Sequence, residues 1–152
     1  MDITLTVSKS EILQEVAQTT GYVGAKMDDD ENAYERISTV DEDNSELQRF
    51  WNESRAELAK AFIRVLESEG MQSDDTYNLV LNVSVSFDVA LVEGMQLGLY
   101  SFFVQNITAK WFVFTNKKEA GDYADKAAEI LAEIREKAHF KKKPTRPTYN
   151  NN

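Results

Sequence analysis

Leu91, Val92, Met95, Leu99, Phe102, Phe103, Ile107, Trp111 and Phe114 recur at three- and four-residue steps through a segment that reads as one helix, opened by a cap at Asp88 and ending near Phe114. So wide an apolar stripe needs burial on more than one side. The rest of the chain must therefore be arranged around this helix. The segment does not read as a membrane span. Its longest uncharged run, Gly94 to Ala109, is interrupted by Gln96, Gln105 and Asn106 and falls short of the ~20 residues that spanning requires.

Other elements follow from local pattern. Ile3, Leu5 and Val7 alternate with polar residues, which predicts a short half-buried strand or extended arm. Ser8 with Glu11 has the spacing of a capping box, so a helix is expected from there, with Ile12, Leu13, Val16, Ala17 and Val23 on one face. Residues 27–44 are too acidic for a core; they read as a long loop with one turn of helix, held down by Tyr34, Ile37 and Val40. A helix over about 45–69 is predicted from Leu47, Phe50, Trp51, Leu58, Phe62, Val65 and Leu66, capped by Asn44 or Ser45 and ended by Gly70 in a left-handed conformation.

After a turn at Ser73-Asp74-Asp75, the alternation from Tyr77 to Phe87 predicts a strand or hairpin near 76–87. Its backbone needs a partner, and residues 1–7, residues 111–115 or another subunit could supply one. Asn116 and Glu119 have capping-box spacing for a last helix to about Ala138, carrying Tyr123, Ala127, Ile130, Leu131 and Ile134 inward. The expected fold is mainly α (α+β): a four-helix domain over 1–139 with a β-strand or hairpin, and an extended arm over 140–152.

At 152 residues the chain is the size of one domain. Cysteine is absent and His139 is the one histidine, so disulfides, thiolate metal sites and histidine-rich metal sites are excluded. The first ten residues lack the pattern of a secretory signal. Asp28, Asp29, Asp30 and Glu31, and likewise Asp41, Glu42 and Asp43, lack the glycine and ligand spacing of a calcium loop. Glu11, Glu15, Glu53 and Glu57 sit at four-residue spacing without the Glu-x-x-His of a di-iron bundle. Neither a phosphate loop nor a dinucleotide fingerprint is present. Neither cofactor nor metal is expected, and the chain reads as non-enzymatic.

Charge is divided along the chain. Residues 1–100 hold 7 Lys+Arg against 20 Asp+Glu, whereas residues 101–152 hold 10 against 6. Lys141, Lys142, Lys143 and Arg146 stand beside Pro144 and Pro147, with Tyr149 beyond them. Proline pushes the residue before it out of helical geometry, so the arm should be extended. Its natural partners are carboxylates: the acidic loop residues Asp28, Asp29, Asp30, Glu31, Asp41 and Asp43 of a neighbouring copy, or an acidic groove on another protein. The acidic body argues against wrapping nucleic acid.

The order of elements resembles that of the small head-tail connector (portal adaptor, neck) proteins of tailed bacteriophages. The resemblance lies in ITLTVSKSEIL at the start, DEDNSELQRFWNESRAELAKAF after an acidic loop, and SFFVQNITAKWFVF before a short helix and basic tail. The chain is also similar to prophage proteins of gut Bacteroidetes. Its last helix and basic end are longer than that pattern. The resemblance implies a structural virion protein in an oligomeric ring, dodecameric as in the family, between portal and tail. Portal protein and tail or neck proteins would be its partners, DNA would be passing cargo, and no membrane would be involved. It would reside in the virion neck, and in the bacterial host cytoplasm during assembly. An alternative left open by the residues is a small regulatory or inhibitory protein-binding module of a prophage; a metal-using enzyme built on the acidic clusters ranks last.

Overall fold

The computed structural model describes residues 1–26, 33–40 and 43–144. Its elements are β1 (Asp2–Ser8), α1 (Lys9–Lys26), α2 (Ala33–Ile37), α3 (Asn44–Ala61), β2 (Leu66–Met71), β3 (Thr76–Asn82), a 3-10 turn at Val89–Leu91, α4 (Val92–Thr115) and α5 (Lys117–Ala138). The fold is mainly helical, with one small antiparallel sheet, as the periodicities predict.

Helix α4 is the centre. It packs along α5 and also meets α1, α3 and β1, which is why its apolar stripe is so wide. Met95, Leu99, Phe102, Phe103, Ile107 and Phe112 are all buried on it. Phe114, expected on the same stripe, is instead 69% exposed. The core joins α4 to α3 and the sheet through an aromatic trio. Trp51 of α3 stacks on Phe103 of α4 with ring centroids 4.4 Å apart, and Tyr77 of β3 meets Phe103 edge-on at 5.3 Å.

The sheet has the order β1-β3-β2. Strand β3 is flanked on both sides within the chain, by β1 with Leu5 opposite Leu79 and by β2 with Glu69 opposite Leu79. A strand from another subunit is therefore not required to satisfy it. The alternating residues Ile3, Leu5, Val7, Tyr77, Leu79 and Leu81 all face the core. The outer side of β1 is partly closed by α4, whose Gln96 side-chain oxygen accepts the Thr6 amide at 3.0 Å.

Several boundaries differ from expectation. The helix predicted over 45–69 ends at Ala61, and β2 takes residues 66–71. Leu66 continues the helical spacing of Phe62 but pairs with Leu81; the second side of β3 supplies more hydrogen-bond partners than one further helical turn would. Gly70 lies within β2 at φ +154°, not at a helix end, and that positive φ favours glycine.

The strand predicted to Phe87 stops at Asn82, which faces Asp2 of β1. The alternation fails at Val85, which is 88% exposed.

Caps divide similarly. Ser8 Oγ receives the Glu11 amide at 3.3 Å, as its position suggests; Asp88 receives the Ala90 amide at 3.1 Å but caps the 3-10 turn, and α4 itself begins after Leu91 with no side-chain cap. Neither Asn44 nor Ser45 caps α3; Asp43 precedes it, and no side chain caps its end. Asn116 offers its backbone oxygen, not its side chain, to the start of α5.

Candidate interaction surfaces

The arm leaves α5 at its end. His139 terminates the helix, Phe140 is half exposed, and the chain then turns back over the segment that precedes α4. There the Lys142 amide donates to the Ser86 carbonyl at 2.9 Å, and Lys142 Nζ lies 3.6 Å from Asp88 Oδ1. Lys142 thus has a carboxylate partner in its own chain, while Lys141 and Lys143 are exposed. Phe140, Leu91 and the α5 residues Glu133, Glu136 and Lys137 border a hollow of about 260 Å³ at this root. Val85 and Val89, 88% and 61% exposed, lie in the adjoining segment. Arg146 and Tyr149 fall outside the described residues.

Among the acidic candidates, Asp28, Asp29, Asp30, Glu31 and Asp41 also lie outside the described residues. Asp43 is described: its carboxylate accepts the Val40 amide at 2.8 Å and closes the turn from α2 into α3. Glu53 and Glu57 both hold Lys110 of α4, at 3.3 and 3.0 Å. Asn106 joins them, donating to Ser54 Oγ at 2.8 Å and to Glu57 at 2.6 Å. This polar seam fixes α3 against α4 and leaves those carboxylates occupied. Among the described residues no group of three or more His, Cys, Asp or Glu side chains could hold a metal ion, and no helix is long and apolar enough to cross a membrane.

Two features were not legible in the sequence. Asp75, read as an ordinary turn residue, clamps the β2–β3 turn to the start of α1. Its carboxylate accepts Ser8 Oγ at 2.6 Å and the Ser10 amide at 2.7 Å, and its backbone oxygen accepts the Lys9 amide. Hydrogen bonds from Ser8 and then Ser10 hold the Asp75 carboxyl below the usual carboxylate range. Only its Ser-Asp-Asp context hinted at this.

The second feature is a trough along the outer face of α1. Ala17 and Gly21 form its floor, with Gln14 and Gln18 beside them, and Tyr22, Tyr34 and Val40 rise around it. These last three are 63%, 54% and 55% exposed. The trough continues past Ala17 towards Leu13 and Leu47.

Helix α2 is held in place by the other side of its turn. Ile37 and Ala33 are buried with Phe112 and Ala120, and the Ile37 carbonyl accepts the Trp111 indole N–H. Gly24 allows the approach: a Cβ there would stand 2.8 Å from the Tyr34 Cα.

No protein-family model, curated protein or solved structure matches this chain.

Proposed function

We propose that this chain is a non-enzymatic structural protein of a bacteriophage virion, a head-tail connector that forms a ring between portal and tail. The observation that carries the reading is the arm: a basic segment rooted on Ser86 and Asp88 at one end of the central helix, attached to an acidic body. Residues 1–139 hold 13 Lys+Arg against 26 Asp+Glu, and residues 140–152 hold 4 against none. Rings of identical subunits need heterologous contacts, in which one patch fits a different patch on the next copy. Opposite charges on separate parts of one chain suit such contacts. An acidic body also lets DNA pass without retention, because phosphates find few cations to hold them.

The exposed apolar residues around the arm root, Val85, Val89 and Phe140, suit a contact with portal or tail protein. The test is quantitative mass spectrometry of purified particles from the phage that encodes the chain. A fixed ratio to the portal protein is expected. Absence from particles, with a monomeric purified protein, would overturn the proposal in favour of a regulatory module.

A further inference from the structure

We propose that the Tyr22–Tyr34 trough is the receptor for the Pro144–Tyr149 segment of a second copy of this chain. The proposal rests on the self-assembly in the function proposed above, though not on its location in a virion. The receptor is preformed. Ala17 and Gly21, four residues apart on α1, keep the floor low, with the Tyr34 ring resting at van der Waals distance over Gly21, and the half-exposed rings of Tyr22 and Tyr34 border the trough. The Tyr22 ring already carries a cation of its own chain, Lys26 Nζ standing 4.3 Å from its centroid, the kind of contact that an arm lysine or arginine would have to share or displace.

The ligand has matching chemistry. Pro144 and Pro147 are three residues apart, so a polyproline helix of three residues per turn sets both on one side, about 9 Å apart. Aromatic grooves take such segments because little conformational entropy is lost on docking. Charge favours the same pairing. In sequence, residues 27–43, within which α2 lies, hold eight Asp+Glu against one Arg, whereas the arm carries Lys141, Lys142, Lys143 and Arg146 with no acid.

Reach makes the contact intermolecular. The arm root is fixed just before the start of α4, whereas α2 is tied to Trp111 near its end. Nineteen residues of helix separate Val92 from Trp111, about 28 Å at 1.5 Å per residue. Even at full extension the seven residue steps from Lys142 to Tyr149 cover at most about 25 Å, before any detour around the body. The arm of one copy is therefore too short to lay this segment against Tyr34, which α2 holds towards the Trp111 end of its own α4, and is free to reach the trough of the next. Root and receptor lie towards opposite ends of α4, so each copy gives an arm in one direction and receives one from the other. That is the head-to-tail geometry from which rings close.

The test uses two full-length variants: Tyr22→Ala/Tyr34→Ala, with an intact arm, and Pro147→Ala/Tyr149→Ala, with an intact trough. Sedimentation velocity should show concentration-dependent multimers for the parent chain and monomers for each variant alone. An equimolar mixture of the two variants should give a one-to-one dimer and nothing larger, dissociating as salt rises.

A fluorescent peptide of residues 140–152 should bind the arm-deficient variant, and at least about tenfold more weakly the tyrosine variant. Gly21→Leu, which fills the trough from its floor, should match the tyrosine variant, with circular dichroism and melting confirming that both remain folded. A mixture that stays monomeric, or single variants that assemble like the parent, would overturn the proposal. So would a peptide that ignores the trough, or a parent chain that is monomeric at every concentration. Presence of that monomeric chain in purified particles would leave the proposed function standing while this contact fell.

Discussion

Truncating Trp51 to alanine tests the centre of the fold. The side chain is fully buried, stacked on Phe103 at 4.4 Å and edge-on to Tyr77 at 5.7 Å. Burying roughly 200 Å² of indole at about 25 cal/mol per Å² gives about 5 kcal/mol as an upper estimate. Measured truncations of this kind cost about 3–5 kcal/mol. For a domain of this size each kcal/mol moves the melting temperature by about 2–4 °C, so a fall of roughly 6–20 °C is expected.

The indole N–H gives a second handle, because Trp51 Nε1 has no hydrogen-bond partner among the described residues. Trp51→Phe should therefore keep most of the packing and lose no hydrogen bond, costing roughly 1–2 kcal/mol. Trp111→Phe, by contrast, removes the donor to the Ile37 carbonyl. Urea unfolding followed by far-UV circular dichroism reads all three. If Trp51→Ala melts like the parent, the core is not where the structure has it; if Trp51→Phe is as damaging as alanine, the N–H is bonded and the account of this site fails.

Gly24→Ala should destabilise by about 1–3 kcal/mol despite alanine's better helix propensity, because the new Cβ meets the Tyr34 backbone at 2.8 Å; a stabilised variant in chemical denaturation would refute the α1–α2 packing. For Asp75 the folded-state pKa is depressed, so its stabilisation is present above the unfolded value near ~3.9 and is lost as pH falls through the folded one. Urea midpoints of Asp75→Ala and the parent should accordingly differ at pH 6 and converge in acid. A gap that persists undiminished at the lowest pH would show that the carboxylate charge is not what matters. Deleting residues 141–152 removes the Lys142 contacts to Ser86 and Asp88, where the lysine is 61% exposed, and should change stability by no more than about 1 kcal/mol. The same deletion should abolish incorporation into particles, and normal incorporation would make the arm dispensable.

What the sequence revealed depended on whether a pattern was decided locally. Helices α4 and α5 and strand β1 announce themselves because their apolar residues keep one period over most of their length, with Phe114 at the end of α4 the exception. Strand β2 does not: in LESEGM the acidic residues hide any alternation, and Leu66 fits the helix before it as well as the sheet. Only pairing with β3 decides between them, and that is tertiary information. The arm's charges were plain to read, though not that Lys142 would meet Asp88 of its own chain. The trough escaped notice because its floor is made of small residues, Ala17 and Gly21, and one of its walls, Tyr34, comes from a five-residue helix whose position depends on Trp111.

The sheet also sets an order of events for the folding chain. Strands β2 and β3 are separated by a short turn and can pair early, while β1 must join residues far along the chain, as Thr6 does with Asn78, 72 residues away, and Asp2 with Asn82, 80 away. Closing so long a loop is entropically slow and, beyond the β1–β3 ladder itself, gains less until α4 is present to cover Ile3, Leu5 and Val7. The first strand made is thus the last to dock, and Leu5→Ala should accelerate unfolding while leaving the folding rate nearly unchanged. Until then β3 has one unguarded edge. A nascent chain in that state exposes the surface that another partly made copy would pair with, so the interval before α4 is complete is when misassembly threatens this protein most.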